Sequence, residues 1–479
     1  MTIWFDVEDL IRFFQGAVRP TGIQRFSFET CSAAARLAAA PGEVRFCRRD
    51  AGGLRAIHFP ALEAGIRAIA AAPYAPAYTP PPAARQINPA LARLARAAAP
   101  RFRRPLGRLG RAGLAGLAAL RELALVSLTA WRPGARTAPR LGGHAFDLDT
   151  HPIRFAPGDV LVNLGASWER PYSPRFLTAL NQAGAHLALL AHDMIPDLYP
   201  EWCTQSMVRD FRVWLDELVP RAALMFAVSR NTAQDLRGSL HRLGHAAPDI
   251  QVLPAGGPAH GQTARLPPVL HEPYVLMVGT IEARKNHGGM LRVWRRLLAS
   301  LPLDAVPVLV FAGKPGWLTA DLMQQLENAG WLDGKIRFID QPSDTALASL
   351  YQHCLFTVFP SFYEGWGLPV SESLSFGKTV AASNRPAITE AGGDFCAYFN
   401  PDNLNDAYRV IAGLIAAPER LATMNARIAA GFSAPRWENT AAALLARLGV
   451  IPRDKAPPAA LRDVPARQDG SAPARQSAA

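Results

Sequence analysis

The sequence predicts an α/β protein of two Rossmann-like, doubly wound parallel-sheet domains facing a central cleft. Three observations predict it. Short apolar, β-rich runs recur along the 479 residues, each followed by a polar loop and a helical pattern, which is the signature of βαβ units. A Pro/Gly-rich stretch, Pro254 to Pro268, divides the runs into two series. The length is enough for two or three domains with sizeable cores.

In chain order, Ile3–Val7 reads as a first strand and Gln24–Ala38 as a helix. Residues 76–142 are rich in Pro, Ala, Arg and Gly and read as an insertion. Strands resume at VLVNLGAS (160–167), LALLAHD (187–193) and ALMFAVS (223–229). The second series runs through YVLMVG (274–279), VPVLVFAG (306–313), KIRFID (335–340), LFTVFPS (355–361) and TVAAS (379–383). The expected boundaries are a first domain over 1–258, a linker over 259–270 and a second domain over 271–434. A terminal helix within 435–451, centred on WENTAAALLARL (437–448), is expected to pack back toward the first domain. The polar, Pro/Ala-rich tail 452–479 is expected to be disordered.

The net charge of +12 is unevenly spread. Between Arg85 and Arg140 stand twelve arginines and one acid, Glu122, so the insertion carries +11 and the rest is nearly neutral. Leu91–Trp131 mixes Arg with Leu, Ala and Trp131; it suits either an interfacial helix on an anionic membrane surface or a solvated basic insert. Glycines 107, 110, 113 and 116 recur every third residue there, with no preceding strand to make a phosphate loop. Nucleic-acid binding lacks both aromatic interleaving and a reading helix. The five scattered cysteines show no metal spacing and read as free thiols in a reducing cytosol. The amino terminus, MTIWFDVEDL, carries acids where a signal peptide has basic residues. The longest apolar stretch, Ala112–Trp131, is broken by Arg121 and Glu122, which argues against a membrane span.

The segment FPSFYEGWGLPVSESLSFG, Phe359 to Gly377, is the most informative. It reads as strand, Gly-rich turn and helix, with Pro369 in the first turn and Gly377 past the end. Glu364 falls on the loop and Glu372 in the first helical turn, at the edge where open α/β sheets bind ligands. Carboxylates accept hydrogen bonds from vicinal hydroxyls, so the pair suits a polyhydroxylated ligand. Arg284 and Lys285 follow the strand YVLMVG in GTIEARKNH. They read as a diphosphate clamp or as solvated charges; the helix dipole disfavours cations at a helix start, which favours the clamp. His192, in LLAHDMIPDLYPE, is either a structural histidine or a group recognising hydroxyls or steering a leaving group; Asp193 beside it reads as a cap of the next helix or turn, not as a chemical group. Gly22, in RPTGIQR, allows close backbone approach or a plain turn. FDLD (146–149) is a weak metal-diphosphate motif that follows no clear strand. No P-loop or dinucleotide fingerprint occurs.

GTIEARKNH, AGKPGW, FPSFYEGWGLPVSESLSFGKTVAAS and AHDMIPDLYPE together resemble the retaining GT-B glycosyltransferases of family 4, the glycosyl transferases group 1. The likeness covers most of residues 1–30 and 155–450. It implies a nucleotide-sugar donor in the second domain and a glycan or lipid-linked acceptor, without metal or cofactor. Glu372 would bind the ribose hydroxyls and Glu364 the sugar near its reacting carbon. Arg284 and Lys285 would neutralise the departing diphosphate. Gly365, Trp366, Gly367 and Leu368 would offer backbone N–H groups, and Gly279, which opens GTIEARKNH, joins the donor-binding set. His192 would contact the donor sugar, and Gly22 would lie at the phosphate and acceptor side. One departure is PTGIQR, with one glycine where the family's loop often has more. The implied activity is retaining transfer of a hexose, mannose or glucose by preference, in surface polysaccharide or lipopolysaccharide synthesis. The implied location is cytoplasmic, with peripheral attachment to the inner membrane through residues 85–141 as an extension. The rivals are a sugar-nucleotide epimerase on the same fold and a non-catalytic scaffold docked on membrane.

Overall fold

The first strand, β1 (Ile3–Asp6), is buried along its whole length. Ile3 and Phe5 enter one core and Trp4 the core on the opposite face, as expected of a strand covered on both sides. The chain is described here from a computed structural model covering residues 1–16, 19–38, 43–50, 53–71, 140–141, 144–145, 148, 151–257 and 265–451. The tail 452–479, most of the basic insertion, the FDLD carboxylates, residue 258 and residues 259–264 of the linker lie outside those described residues.

After β1 come β2 (Val44–Asp50) and β3 (Gly53–Ile57), an antiparallel pair. β4 (Arg140–Leu141) and β5 (His144–Ala145) form a small ribbon. Then follow β6 (His151–Pro152), β7 (Val160–Asn163), β8 (His186–Ala191), β9 (Leu224–Ala227) and β10 (Asp249–Val252). The first sheet has the order β10-β9-β8-β7-β1-β2-β3-β6. It is parallel from β10 to β2, and β3 runs against both its neighbours.

The second sheet contains β11 (Tyr274–Val278), β12 (Val308–Gly313), β13 (Ile336–Asp340), β14 (Thr357–Phe359), β15 (Val380–Ser383) and β16 (Ala397–Phe399). Its order is β13-β12-β11-β14-β15-β16, all parallel. The order reverses between β11 and β14, and ligands of open α/β sheets sit outside the carboxyl ends at such a point.

The expected two parallel sheets are present. The β2–β3 hairpin, β10 and β16 were not expected. VRFCRRD and GLRAI carry arginines that dilute the apolar signal, and β16 is three residues long. The helix expected over Gln24–Ala38 begins earlier and spans Gly22–Leu37. Gly22 is therefore the first helical residue and not a loop residue. The helix Trp437–Arg447 places Ala441, Leu444 and Leu445 in one core with Ile3, Phe5 and Phe26 of the first domain. Trp437 meets the Phe26 ring edge-on at 5.5 Å. All five cysteines are free thiols. No helix among the described residues is long and apolar enough to cross a membrane.

Candidate active site

Two loops meet at the switch point of the second sheet. One leaves β11 at Gly279 and passes through a short 3-10 turn, Ala283–Lys285. Asn286 then caps the helix His287–Ser300, its side chain accepting from the Gly289 amide at 3.1 Å. The other loop leaves β14, carries Glu364 and enters the helix Leu368–Ser375 through Gly367. Glu372 is the fifth residue of that helix, so it lies in the second turn and not the first. Gly377, at φ 69°, ends the helix, and the Lys378 amide bonds back to the Ser373 carbonyl.

The loops are tied by charge. Glu364 Oε2 lies 2.5 Å from Arg284 Nη1, and Oε1 accepts from Lys285 Nζ at 2.9 Å. Glu282 Oε2 holds Arg284 Nε at 2.9 Å. All four side chains are nearly buried. Burial pushes the Glu364 carboxyl up, but Arg284 and then Lys285 outweigh it and bring it down to about 2. Burial lowers the Arg284 guanidinium, and the carboxylates of Glu364, Glu282 and Asp193 more than restore it, leaving it raised. The Arg284 guanidinium is thus held in its charged form in a nearly buried site by the surrounding carboxylates. Gly279, at φ 141°, leaves room for this: a Cβ there would lie 3.2 Å from Lys285 Cε.

Glu372 is buried, and its Oε2 accepts from the Tyr351 hydroxyl at 2.8 Å. Burial pushes its carboxyl up, opposed by Arg25 and then by the Tyr351 hydrogen bond. The site therefore has two carboxylates in different settings, one bonded directly to two cations and one hydrogen-bonded by a phenol with a guanidinium at 3.9 Å.

Residues 263–427 match the family model for glycosyl transferases group 1. The chain is 27% identical over 319 residues to the serotype-specific mannosyltransferase WbdA of Escherichia coli, covering 63% of this chain and 38% of that protein. It is 30% identical over 265 residues to the O-antigen chain mannosyltransferase B of Escherichia coli, covering 53% of this chain and 62% of that one. It is 30% identical over 210 residues to the D-inositol 3-phosphate glycosyltransferase of Mycobacterium avium, covering 42% and 47%. The match to WbdA thus spans under two fifths of that protein's length. The second domain belongs to the glycosyl transferases group 1.

Gly279, Arg284, Lys285, Glu364–Leu368 and Glu372 all lie inside the group 1 domain, and Gly22 and His192 lie in the other. Gly365 sits against the partner domain: a Cβ on it would fall 1.7 Å from the His192 carbonyl oxygen. Trp366 and Leu368 pack against the core of the first domain, so their side chains seal the cleft beside their backbone. Gly22 faces Leu368, whose Cδ1 is 3.7 Å from where its Cβ would be. His192 Nε2 bonds to the Leu164 carbonyl at 2.8 Å, between the edges of Phe26 and Trp168. Burial brings its imidazole down to about 4, with the Leu164 bond opposing. The ring is therefore neutral near pH 7 with its proton on Nε2. Asp193 accepts from the Ile195 amide at 3.0 Å, closing a turn before the short helix Ile195–Leu198, whose cap position is Met194; Asp193 thus holds the turn and does not cap the helix.

Further contacts clasp the group 1 domain to the first. Glu390 accepts from the amides of Arg230 and Asn231 at 2.9 and 2.8 Å, at the start of helix Arg230–Arg242. Tyr363 donates to Asp235, and Trp317 Nε1 donates to the Trp202 carbonyl at 2.7 Å. Glu282, Tyr351 and Arg25 are site residues that sequence reasoning missed. Glu282 and Arg25 stand inside GTIEARKNH and RPTGIQR, where proximity to Arg284 and Gly22 was the available signal. Tyr351, in a plain helical stretch, offered none.

Proposed function

We propose that the chain is a retaining glycosyltransferase that moves a hexose from a nucleoside-diphosphate sugar to a glycan or lipid-linked acceptor. Mannose is the first candidate, because the relatives include mannosyltransferases of O-antigen synthesis. The observation that carries the reading is the buried Arg284–Lys285 pair bridged by Glu364 at the sheet's switch point. A diphosphate entering there takes over the two cations and releases Glu364 to the sugar hydroxyls. As the leaving group departs, Arg284 and Lys285 stabilise its growing charge without reorganising, the economical form of electrostatic catalysis. Glu372, with Tyr351 fixing one oxygen, accepts from the ribose hydroxyls. The amides from Gly365 to Leu368 face the phosphate and sugar, and Gly279 keeps space beside Lys285.

His192 contributes shape and its free Nδ1 toward the donor sugar, since Nε2 is committed to Leu164. Gly22 lies toward the acceptor side. The acceptor attacks on the face from which the diphosphate leaves, its proton passing to the phosphate, so the anomeric configuration is kept. Neither metal nor cofactor takes part in this scheme. The reaction belongs to surface polysaccharide or lipopolysaccharide assembly at the cytoplasmic face of a membrane, with residues 85–141 as the contact to anionic lipid.

Incubation with a panel of nucleotide sugars, reading nucleoside diphosphate release, tests the activity. Release from GDP-mannose or a UDP-hexose, with an α-linked product from an α-linked donor, is the expected result. Absence of release across the panel, with and without saccharide acceptors, overturns it. Deleting residues 85–141 is expected to abolish sedimentation with anionic vesicles; unchanged sedimentation removes the membrane role.

A further inference from the structure

Glu372 is reached from two sides. Tyr351 holds Oε2 from within the group 1 domain, while Arg25 Nη1 of the first domain stands 3.9 Å from Oε1. Arg25 Nη2 also donates to Asp344 Oδ1 at 2.7 Å. Asp344 opens the helix Asp344–His353, the same helix that carries Tyr351. Among the described residues, both carboxylates within ion-pair range of Arg25 belong to the opposite domain.

The local placement of Arg25 is unfavourable by itself. It is the fourth residue of the helix Gly22–Leu37, and a cation in a first turn opposes the helix dipole. Glu29 of its own helix attracts it more weakly, and its ion pairs form across the cleft, with Glu372 and Asp344. At 3.9 Å its contact with Glu372 is an ion pair without a hydrogen bond. Oε1 therefore keeps its lone pairs for ligand hydroxyls while the guanidinium orients the carboxylate. Burial works against the ionised form of Glu372, and Arg25 is the largest opposing influence.

We propose that Arg25 is a positioning residue that couples donor binding to closure of the cleft, by orienting Glu372 toward the ribose hydroxyls from the opposite domain. The inference rests on the reading of Glu372 as the ribose ligand. In the open cleft Arg25 is withdrawn and the ribose subsite is incomplete. In the closed cleft, Arg25 spans Asp344 and Glu372, and the nucleotide is held by a residue of a domain that need not touch its base.

Calorimetric titration of the full chain with UDP, GDP and inorganic pyrophosphate tests this, because pyrophosphate carries the charge without the ribose. Arg25→Ala is expected to weaken whichever nucleotide the wild type binds by about tenfold, the scale of a partly exposed cross-domain ion pair. Pyrophosphate affinity is expected to stay within about twofold, which also shows that the site is folded. Arg25→Lys is expected to recover part of the loss. In a Glu372→Gln background, Arg25→Ala is expected to add nothing further. Wild-type nucleotide affinity in Arg25→Ala, an equal loss toward pyrophosphate, or additivity with Glu372→Gln each overturns the coupling. Failure of the wild type to bind either nucleotide overturns the glycosyl-transfer reading itself, and this inference with it.

Discussion

The Lys285 ammonium donates to the Glu364 carboxylate at 2.9 Å, with each side chain about nine-tenths buried. Neither charge would remain there alone, since an unpaired buried ion costs several kcal/mol. Each charge is the counter-charge that keeps the other in place.

Replacing Lys285 by alanine is expected to lower nucleoside diphosphate release by about 100-fold or more, the usual loss on removing one preorganised charge-stabilising donor. The loss should fall on turnover more than on donor KM. Steady-state kinetics with the best donor checks it, and near-normal turnover removes Lys285 from the reaction.

Glu364 is expected to make the protein acid-labile. Its folded carboxyl is brought from an ordinary value of 4.5 to about 2. A depressed carboxyl stabilises the fold fully above its unfolded value and loses that contribution as pH falls through the folded one. The window is about pH 4.5 down to pH 2, and the contribution is roughly 3 kcal/mol. Urea unfolding of wild type and Glu364→Gln across this window should show the difference between them shrinking as pH falls.

His192 is expected to act as a neutral group. Its imidazole is brought from 6.5 to about 4 by burial, so the unfolded chain takes up this proton first as pH falls. Its contribution to stability is therefore complete above about pH 6.5 and is lost progressively toward pH 4. Proton NMR of the ring should show no titration near neutrality. His192→Gln, which can still donate to Leu164, should cost less stability than His192→Ala, for which about 1–3 kcal/mol is expected.

Two glycines should respond differently to alanine. At Gly365 the new methyl would collide with the His192 carbonyl, 1.7 Å away, and force the domains apart. A loss of about 1–3 kcal/mol and a larger radius in solution scattering are expected. At Gly22 the methyl makes an ordinary 3.7 Å contact with Leu368. Gly22→Ala should change stability by under about 1 kcal/mol, as for a glycine exchanged within a helix. Any loss of activity there then reports crowding of the acceptor side.

Local physics made much of the second sheet legible. Parallel strands buried up to their last residue, such as Tyr274–Val278 and Val308–Gly313, are unbroken apolar runs, and burial on both faces requires that. The hairpin of β2 and β3 was missed because its register rests on pairing partners and not on an apolar run. The residues of GTIEARKNH and EGWGLP could be singled out from the chain because each loop follows its own strand.

What the sequence determined by itself was the pair of α/β domains and the charged, Gly-rich loops at the ends of their strands. Those follow from hydrophobic periodicity and turn chemistry, which act over a few residues. Only the tertiary structure decided that Glu364 is bonded to Arg284 and Lys285, and that Gly365 abuts His192. It alone brought Arg25 to Glu372, 347 positions further along the sequence. Ion pairing and close approach depend on distances in space, and those are set only when loops and helices distant in sequence are packed together.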